Sequence, residues 1–174
     1  MEKLKLKNPN ILSGGYRNFE GRQKGSSPAG VRSFAIEFDV DEAEELMRMG
    51  WELKLRNKIH PDDPDTYVLY VAVRFDKYPP NIITFTSDSA RGMVMRTLNE
   101  DTVYILDKSK FEKSALVINP RIWGPNRDRV KAYLDKAIFK LETDEVDEFF
   151  ADEFRQAYGD GESVSNDDEV PFDV

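Results

Sequence analysis

Thr66-Tyr67-Val68-Leu69-Tyr70-Val71-Ala72-Val73-Arg74-Phe75 alternates along its whole length. Tyr67, Leu69, Val71, Val73 and Phe75 fall on one side, and Val68, Tyr70, Ala72 and Arg74 on the other. β-branched and aromatic residues at a period of two predict a strand. Just upstream, His60-Pro61-Asp62-Asp63-Pro64-Asp65 predicts a turn. Before that turn, Trp51, Leu53 and Leu55 alternate with Glu52, Lys54 and Arg56, the pattern of a half-buried strand. Asp39 or Asp41 is placed to cap a short helix running to Met49. Its first turn is rich in acids, and Gly50 ends it.

Further upstream, Val31–Phe38 reads as a strand with Phe34, Ile36 and Phe38 on one face. Gly21–Gly30 reads as a mobile loop, and Ile11–Phe19 as a strand with a bulge or bend at Gly14-Gly15. Downstream, Tyr78-Pro79-Pro80-Asn81 breaks the run and Ile82–Thr86 resumes it. Ser87–Arg96 reads as a polar loop, and a helical turn is expected from Asn99 or Asp101 to Leu106. Ser114–Trp123 and Val130–Leu141 predict a hairpin around Gly124-Pro125-Asn126. Glu145–Tyr158 has Val146, Phe149, Phe150 and Phe154 at helical spacing, which predicts an acidic amphipathic helix. Six to seven strands, with a helix between the third and fourth main ones, suit a mainly β fold. The expectation is a β-barrel of the OB-fold type with two or three short helices.

Charge divides the chain. From Asp144 onward there are twelve acids and one base, a charge of −11; Met1–Thr143 keeps 24 of the 25 bases and 21 of the 33 acids, a charge of +3. This asymmetry points to a polyanion-binding body with an acidic appendage. The expected organisation is an OB-fold nucleic-acid-binding domain over 1–143, an acidic amphipathic helix over 144–159 packed on it or extending from it, and a disordered acidic tail over 160–174. There is no cysteine, which excludes disulfides, thiolate metal sites and cysteine nucleophiles. No apolar run reaches the roughly 18 residues of a membrane span, and the basic N-terminus lacks the apolar core of a signal peptide. The chain is therefore expected in the cytoplasm, with no membrane partner.

Single-stranded nucleic acid is held by cations along its phosphates and by aromatic faces against its bases. The body interleaves both: Tyr16, Arg17 and Phe19; Arg22 and Lys24; Arg32; Tyr70 and Arg74; Arg91 and Arg96; Arg121 and Trp123; Arg127, Arg129, Lys131 and Tyr133. Phe34, Phe75, Phe85, Phe139 and Trp51 are assigned instead to the core. The loops Gly21–Gly30, Ser87–Arg96 and Gly124–Arg129 are expected to close over a bound strand.

Several runs resemble phage-encoded OB-fold single-stranded DNA-binding proteins. They are Asn8-Pro9-Asn10-Ile11-Leu12, Tyr16-Arg17-Asn18-Phe19-Glu20-Gly21, Arg32-Ser33-Phe34, Gly50-Trp51-Glu52-Leu53-Lys54, Val71-Ala72-Val73-Arg74-Phe75 with Pro79-Pro80, and Val130-Lys131-Ala132-Tyr133-Leu134. The resemblance spans roughly residues 8–150 in ordered patches. It implies a protein that coats single strands with little sequence preference during phage replication and recombination in a bacterial host. Asp167-Asp168-Glu169-Val170-Pro171-Phe172 is similar to the acidic tip of bacterial single-stranded DNA-binding proteins, which ends in Ile-Pro-Phe and recruits repair and replication partners. Here Asp167, Asp168, Glu169, Pro171 and Phe172 carry the likeness, and Asp173-Val174 departs from it by following the Phe.

Other chemistries find less in the sequence. His60 reads as an exposed turn residue, and the prolines beside Asp62, Asp63 and Asp65 disrupt a calcium-loop pattern. Asp76-Lys77, Asp88 and Asp107-Lys108 have the residue types of a metal-dependent nuclease without its spacing. No catalytic motif, cofactor or metal site is expected. The alternatives are a phage protein-interaction or inhibitory module and a metal-dependent nuclease. Homo-oligomerisation is left open.

Overall fold

A computed structural model describes residues 1–88 and 92–142. Arg91, the segment Glu145–Tyr158 and the tail Asp160–Val174 lie outside the described residues. The elements in chain order are β1 (Leu4–Lys7), β2 (Asn10–Ile11), a 3-10 helix (Gly14–Tyr16), β3 (Arg17–Asn18), β4 (Arg32–Asp39) and α1 (Val40–Arg48). They continue with β5 (Lys54–Leu55), β6 (Thr66–Val73), β7 (Asn81–Asp88), β8 (Gly92–Leu98), a second 3-10 helix (Val103–Asp107), β9 (Phe111–Trp123) and β10 (Arg129–Leu141). One curled sheet runs β1-β9-β10-β6-β4-β2, giving the mainly β, partly open barrel expected of an OB-fold.

Two edges are each shared by two neighbours. Lys54–Leu55 of β5 lies beside Val68 and Tyr67 of β6, and β10 lies parallel to β6 at Ala132 and Tyr133. On β10, pairing passes from β6 to β7, which takes Lys136–Lys140 in parallel. The handover falls at a bulge between Leu134 and Lys136, and Pro79-Pro80 separates β6 from β7 on the other side. The sheet is not a closed hydrogen-bonded cylinder. Its end strands β1 and β2 are, however, two pieces of one stretch, joined through Asn8-Pro9. Asn8 turns the chain at φ 51, a conformation that Asn tolerates better than most residues. Its amide nitrogen donates to the Ser114 carbonyl at 2.7 Å, and its side-chain oxygen accepts from the Ser114 amide at 2.9 Å.

Local chemistry explains the helices. Asp39 accepts from the Glu42 amide at 2.8 Å and Glu42 reaches back to the Asp39 amide, forming a capping box. At the other end Gly50 (φ 107) donates to Met47 and Trp51 donates to Leu46, a Schellman closure. That closure occupies the Trp51 amide, so the expected strand shrinks to Lys54–Leu55. Trp51 enters the core and Leu55 stays exposed. The position between the third and fourth main strands is filled by the second 3-10 helix, whose Val103, Ile105 and Leu106 are buried in the core. The described residues of the predicted loop Ser87–Arg96 are strand instead: β7 and β8 form a ladder from Ile82–Leu98 to Asp88–Gly92. Met93, Val94 and Met95 supply enough β-forming surface to pair despite the polar residues around them. The Ile11–Phe19 stretch is split by its 3-10 turn, with Gly14 at φ 65.

Arg17, expected at the surface, is inside. Its guanidinium donates to the carbonyls of Leu12 (2.8 Å), Leu106 (3.0 Å), Ser109 (2.8 Å) and Ile11 (3.5 Å). It lies 4.3 Å from the Phe111 ring centroid, and Phe111 stacks in turn on Phe139. Burial lowers its pKa from the ordinary arginine value, and the charge of Asp107 partly restores it. Asp107 itself accepts from the Phe19 and Glu20 amides at 2.7 and 3.0 Å. Phe19 is completely buried and stacks on Phe34. Arg17 and Phe19 are therefore structural, and neither reaches solvent to meet a ligand.

A second polar cluster ties β2, β4 and β6 together outside the core. Glu37 accepts from Asn10 at 2.7 Å, from Thr66 at 2.9 Å and from Arg56. Burial pushes its carboxyl up, but these bonds and the Arg56 charge outweigh burial and hold it below the usual carboxylate range.

Replacing Arg17 with Leu should strand several buried carbonyls and cost about 3 kcal/mol or more in urea unfolding. Arg17→Lys should fail too, because an ammonium cannot fan out to the same acceptors. Unchanged stability in both would return Arg17 to the surface class. The Glu37 contribution is present above the unfolded carboxyl pKa of about 4.3 and is lost as pH falls through the lower folded value. Glu37→Gln should therefore flatten the acid limb of a plot of Tm against pH. An acid limb identical to that of the parent would show that Glu37 does not supply it.

Candidate nucleic-acid interface

Strand parity places one set of side chains on the outer surface of the sheet. Asn18 of β3 lies opposite Ser33 of β4, Ser33 opposite Ala72 of β6, Ala72 beside Tyr133 of β10, and Tyr133 opposite Asn119 of β9. Ser33 and Ala72 are small, so this row forms a low floor. Tyr16, Tyr70 and Tyr133 rise around it. Tyr16 packs on a small apolar cluster of Leu12, Ala35 and Val68, which fixes one edge of its ring. Tyr70 is exposed. Between Tyr16, Tyr70, Ser33 and Lys24 lies an open groove of about 420 Å³.

Each ring of the strip, whether exposed (Tyr70, Trp123) or half-buried (Tyr16, Tyr133), has a cation beside it. Arg56 lies 5.1 Å from the Tyr16 centroid, and Lys54 lies 5.7 Å from that of Tyr70. Arg121 and Lys131 flank Tyr133 at 5.7 and 5.8 Å, and Arg129 lies 4.7 Å from Trp123. These contacts hold the rings and cations together as a rigid set. Arg56 is also hydrogen-bonded to Tyr16, and its pKa is raised chiefly by its bond to Glu37.

The cations differ in how far they are neutralised. Arg74 makes a two-point contact with Asp76, at 3.1 and 2.6 Å, and this partner raises its pKa while lowering that of Asp76. Arg129 meets Glu52 at 3.3 Å, and Glu52 also accepts from the Val130 amide. Arg121 and Lys131 sit directly opposite each other across β9 and β10. Neither makes an ion pair among the described residues, so their repulsion is uncompensated. Lys54, Arg22 and Arg127 likewise make no ion pair among the described residues.

The loop Gly21–Gly30 is built rather than slack. The Asn18 amide group donates to the Arg22 carbonyl at 2.9 Å, and its oxygen accepts from the Gly21 and Arg22 amides at 3.1 and 3.0 Å. Gly30 donates to Gly21 at 2.7 Å across the loop base. Lys24 and Ser27 exchange backbone hydrogen bonds, and the Lys24 ammonium donates to the Gly15 carbonyl. This fixes Lys24 in the groove lining and the Arg22 backbone on Asn18 beside it. Across the surface, Arg127 adopts φ 52 in the β9–β10 turn and its amide donates to Gly124.

The structure thus gathers Tyr16, Arg22, Lys24, Tyr70, Arg74, Arg121, Trp123, Arg127, Arg129, Lys131 and Tyr133 around one outer strip and its two flanking loops. It does not gather the rest. Arg32 faces the other side of β4, over Phe75 at 5.6 Å and beside Glu100 at 3.4 Å. Arg96 lies on the β8 face shared with Leu98, opposite Thr84, and donates to the Met95 carbonyl. Lys54 and Arg56 belong to the strip although sequence alternation showed them only as the polar side of a strand. Pairing them with Tyr70 and Tyr16 requires the fold. Among the described residues, no three His, Asp or Glu side chains converge as a metal site.

The strip crosses β4, β6, β10 and β9 and is flanked by the loop Gly21–Gly30 and the β9–β10 turn. The structure is similar to a single-stranded DNA-binding protein from bacteriophage Enc34, solved in complex with ssDNA. The two share 12% identity over 82% of this chain and 88% of the other, with a TM-score of 0.45. No curated protein matches the sequence. The profile of the family described as "Putative phage ssDNA-binding domain" matches residues 1–171, and the chain belongs to that family.

Proposed function

We propose that this protein binds single-stranded DNA along the outer strip, with little sequence preference. The observation that carries this reading is the row of rings Tyr16, Tyr70, Tyr133 and Trp123, each beside a cation, with Arg121 and Lys131 opposed and without an ion pair among the described residues. A phosphate entering between these two would relieve their repulsion. Bases can stack on Tyr70, Tyr133 and Trp123, and a ring face accepts any base. The Asn18 amide, which could read a base edge, is spent on the Gly21–Gly30 loop. Family membership supports the same reading, and with it a role in phage replication and recombination within the host cytoplasm. The protein works by binding and performs no chemistry of its own. We further infer that the acidic residues Asp160–Val174 compete with DNA for the strip, leaving Phe172 available to a partner once DNA displaces them. The charges of the two parts, of opposite sign, support this.

Anisotropy titration of a labelled oligonucleotide over a salt series tests the strip. Tyr70→Ala and Trp123→Ala should each cost roughly 1–3 kcal/mol of affinity with little change in salt slope. Arg121→Ala with Lys131→Ala should weaken binding and reduce the slope by about 1.4, the value for two single-strand phosphate contacts. Absence of binding at low salt would sink the reading. Truncation after Gly159 should tighten binding at low salt and converge on the full chain at high salt. Equal affinities at low salt would remove the tail from the mechanism.

A further inference from the structure

Beyond the bulge of β10, the outer surface changes character. Lys5 of β1 lies opposite Val117 of β9, and Val117 opposite Lys136 of β10. In the next row Lys7, Ala115, Ile138 and Ile83 follow one another across β1, β9, β10 and β7. A third row joins Lys113, Lys140 and Phe85. An aliphatic island is thus ringed by lysines. Lys5, Lys7, Lys113 and Lys136 make no ion pair among the described residues, while Lys140 meets Glu112 at 2.7 Å. Phe85 belongs to this outward side and to no core cluster, yet it is only 7% exposed.

We propose that this face is the dock for the chain's own acidic segment Asp144–Tyr158. Four observations select this occupant. The first is attachment: β10 ends at Leu141, one residue past Lys140, so the segment starts beside the island. The second is charge: the segment carries six acids and one base, against four lysines that make no ion pair among the described residues. The third is pattern: Val146, Phe149, Phe150 and Phe154 would form one apolar stripe on a helix, matching the aliphatic strip between the lysines. The fourth is length. A helix over residues 146–158 would extend about 20 Å, and five strands at about 4.8 Å spacing span about 19 Å. Nucleic acid fits less well here, because Val117, Ala115, Ile138 and Ile83 offer no ring to stack on. The docked segment would close the aliphatic island from solvent and leave only the chain after Gly159 free to reach the strip. This inference does not rest on the DNA reading.

The cysteine-free chain allows a direct test. In the full chain, Ala151→Cys is combined in turn with Ala115→Cys, Ile138→Cys and Thr97→Cys on the lysine face, and with Ser33→Cys in the groove. Each is treated with a short bismaleimide. At least one face pair should cross-link within the monomer to more than half completion, and the groove pair to less than a tenth. Adding Lys5→Glu and Lys136→Glu should lower the face cross-link at least five-fold at low salt. A dominant groove cross-link, dominant cross-linked dimers or no cross-link at all would each overturn the proposal. So would a ten-fold loss of oligonucleotide affinity in the Lys5→Glu, Lys136→Glu chain, which would assign the lysines to nucleic acid instead.

Discussion

One buried guanidinium ties the first quarter of the chain to the barrel. Arg17 brings the carbonyls of Ile11 and Leu12 together with those of Leu106 and Ser109, segments some ninety residues apart. A carbonyl buried without a donor costs about 1–3 kcal/mol, and a guanidinium buried without acceptors costs more. Each therefore fixes the other. β2, upstream of Arg17, and β3, which Arg17 opens, are each two residues long and could not hold their place by ladder alone. Tyr16 precedes this anchor and Asn18 follows it, so the ring that edges the groove and the amide that shapes its loop inherit their positions from a residue that never meets the ligand.

β8 was not legible, because Ser87–Arg96 reads as polar, whereas β4, β6, β9 and β10 were legible because alternation is a local property. So were the caps of α1, since Asp39, Glu42 and Gly50 act within a few residues. The identity of the interface was only half legible. Tyr16-Arg17-Asn18-Phe19 looks like one basic-aromatic cluster, but strand parity sends Arg17 and Phe19 inward and leaves Asn18 on the outside. Parity was misjudged there because the 3-10 turn resets it, and nothing in Gly14-Gly15 announces where the reset falls. Which cations are free was not legible at all. Arg129 meets Glu52 from 77 residues away, whereas Arg121 finds no acid among the described residues. Such pairings follow from the sheet order and not from sequence spacing.

The two outer surfaces along β10 show how one strand serves two purposes. Before the bulge its outward positions are Arg129, Lys131 and Tyr133, beside β6 and the exposed tyrosines. After it they are Lys136, Ile138 and Lys140, beside β7. Both surfaces are basic. Only the first offers exposed rings, since Phe85 on the second is 7% exposed, and that difference separates a surface suited to stacked bases from one suited to an aliphatic partner. The bulge at Asp135 marks the boundary, and Lys3 neutralises that carboxylate at 3.0 Å.

The joint at Asn8-Pro9 has a consequence for crowding. An exposed strand edge is a template on which a neighbouring chain can add its own strand. Proteins gathered along one polymer meet at very high local concentration, where such pairing would compete with ordered assembly. Here the first and last strands of the main sheet path are successive pieces of a single segment, so covalent continuity guards what would otherwise be two adhesive borders. Short pieces and a proline at the joint leave little ladder for an intruder to extend. The seam is guarded by chain connectivity and not by hydrogen bonds that close it.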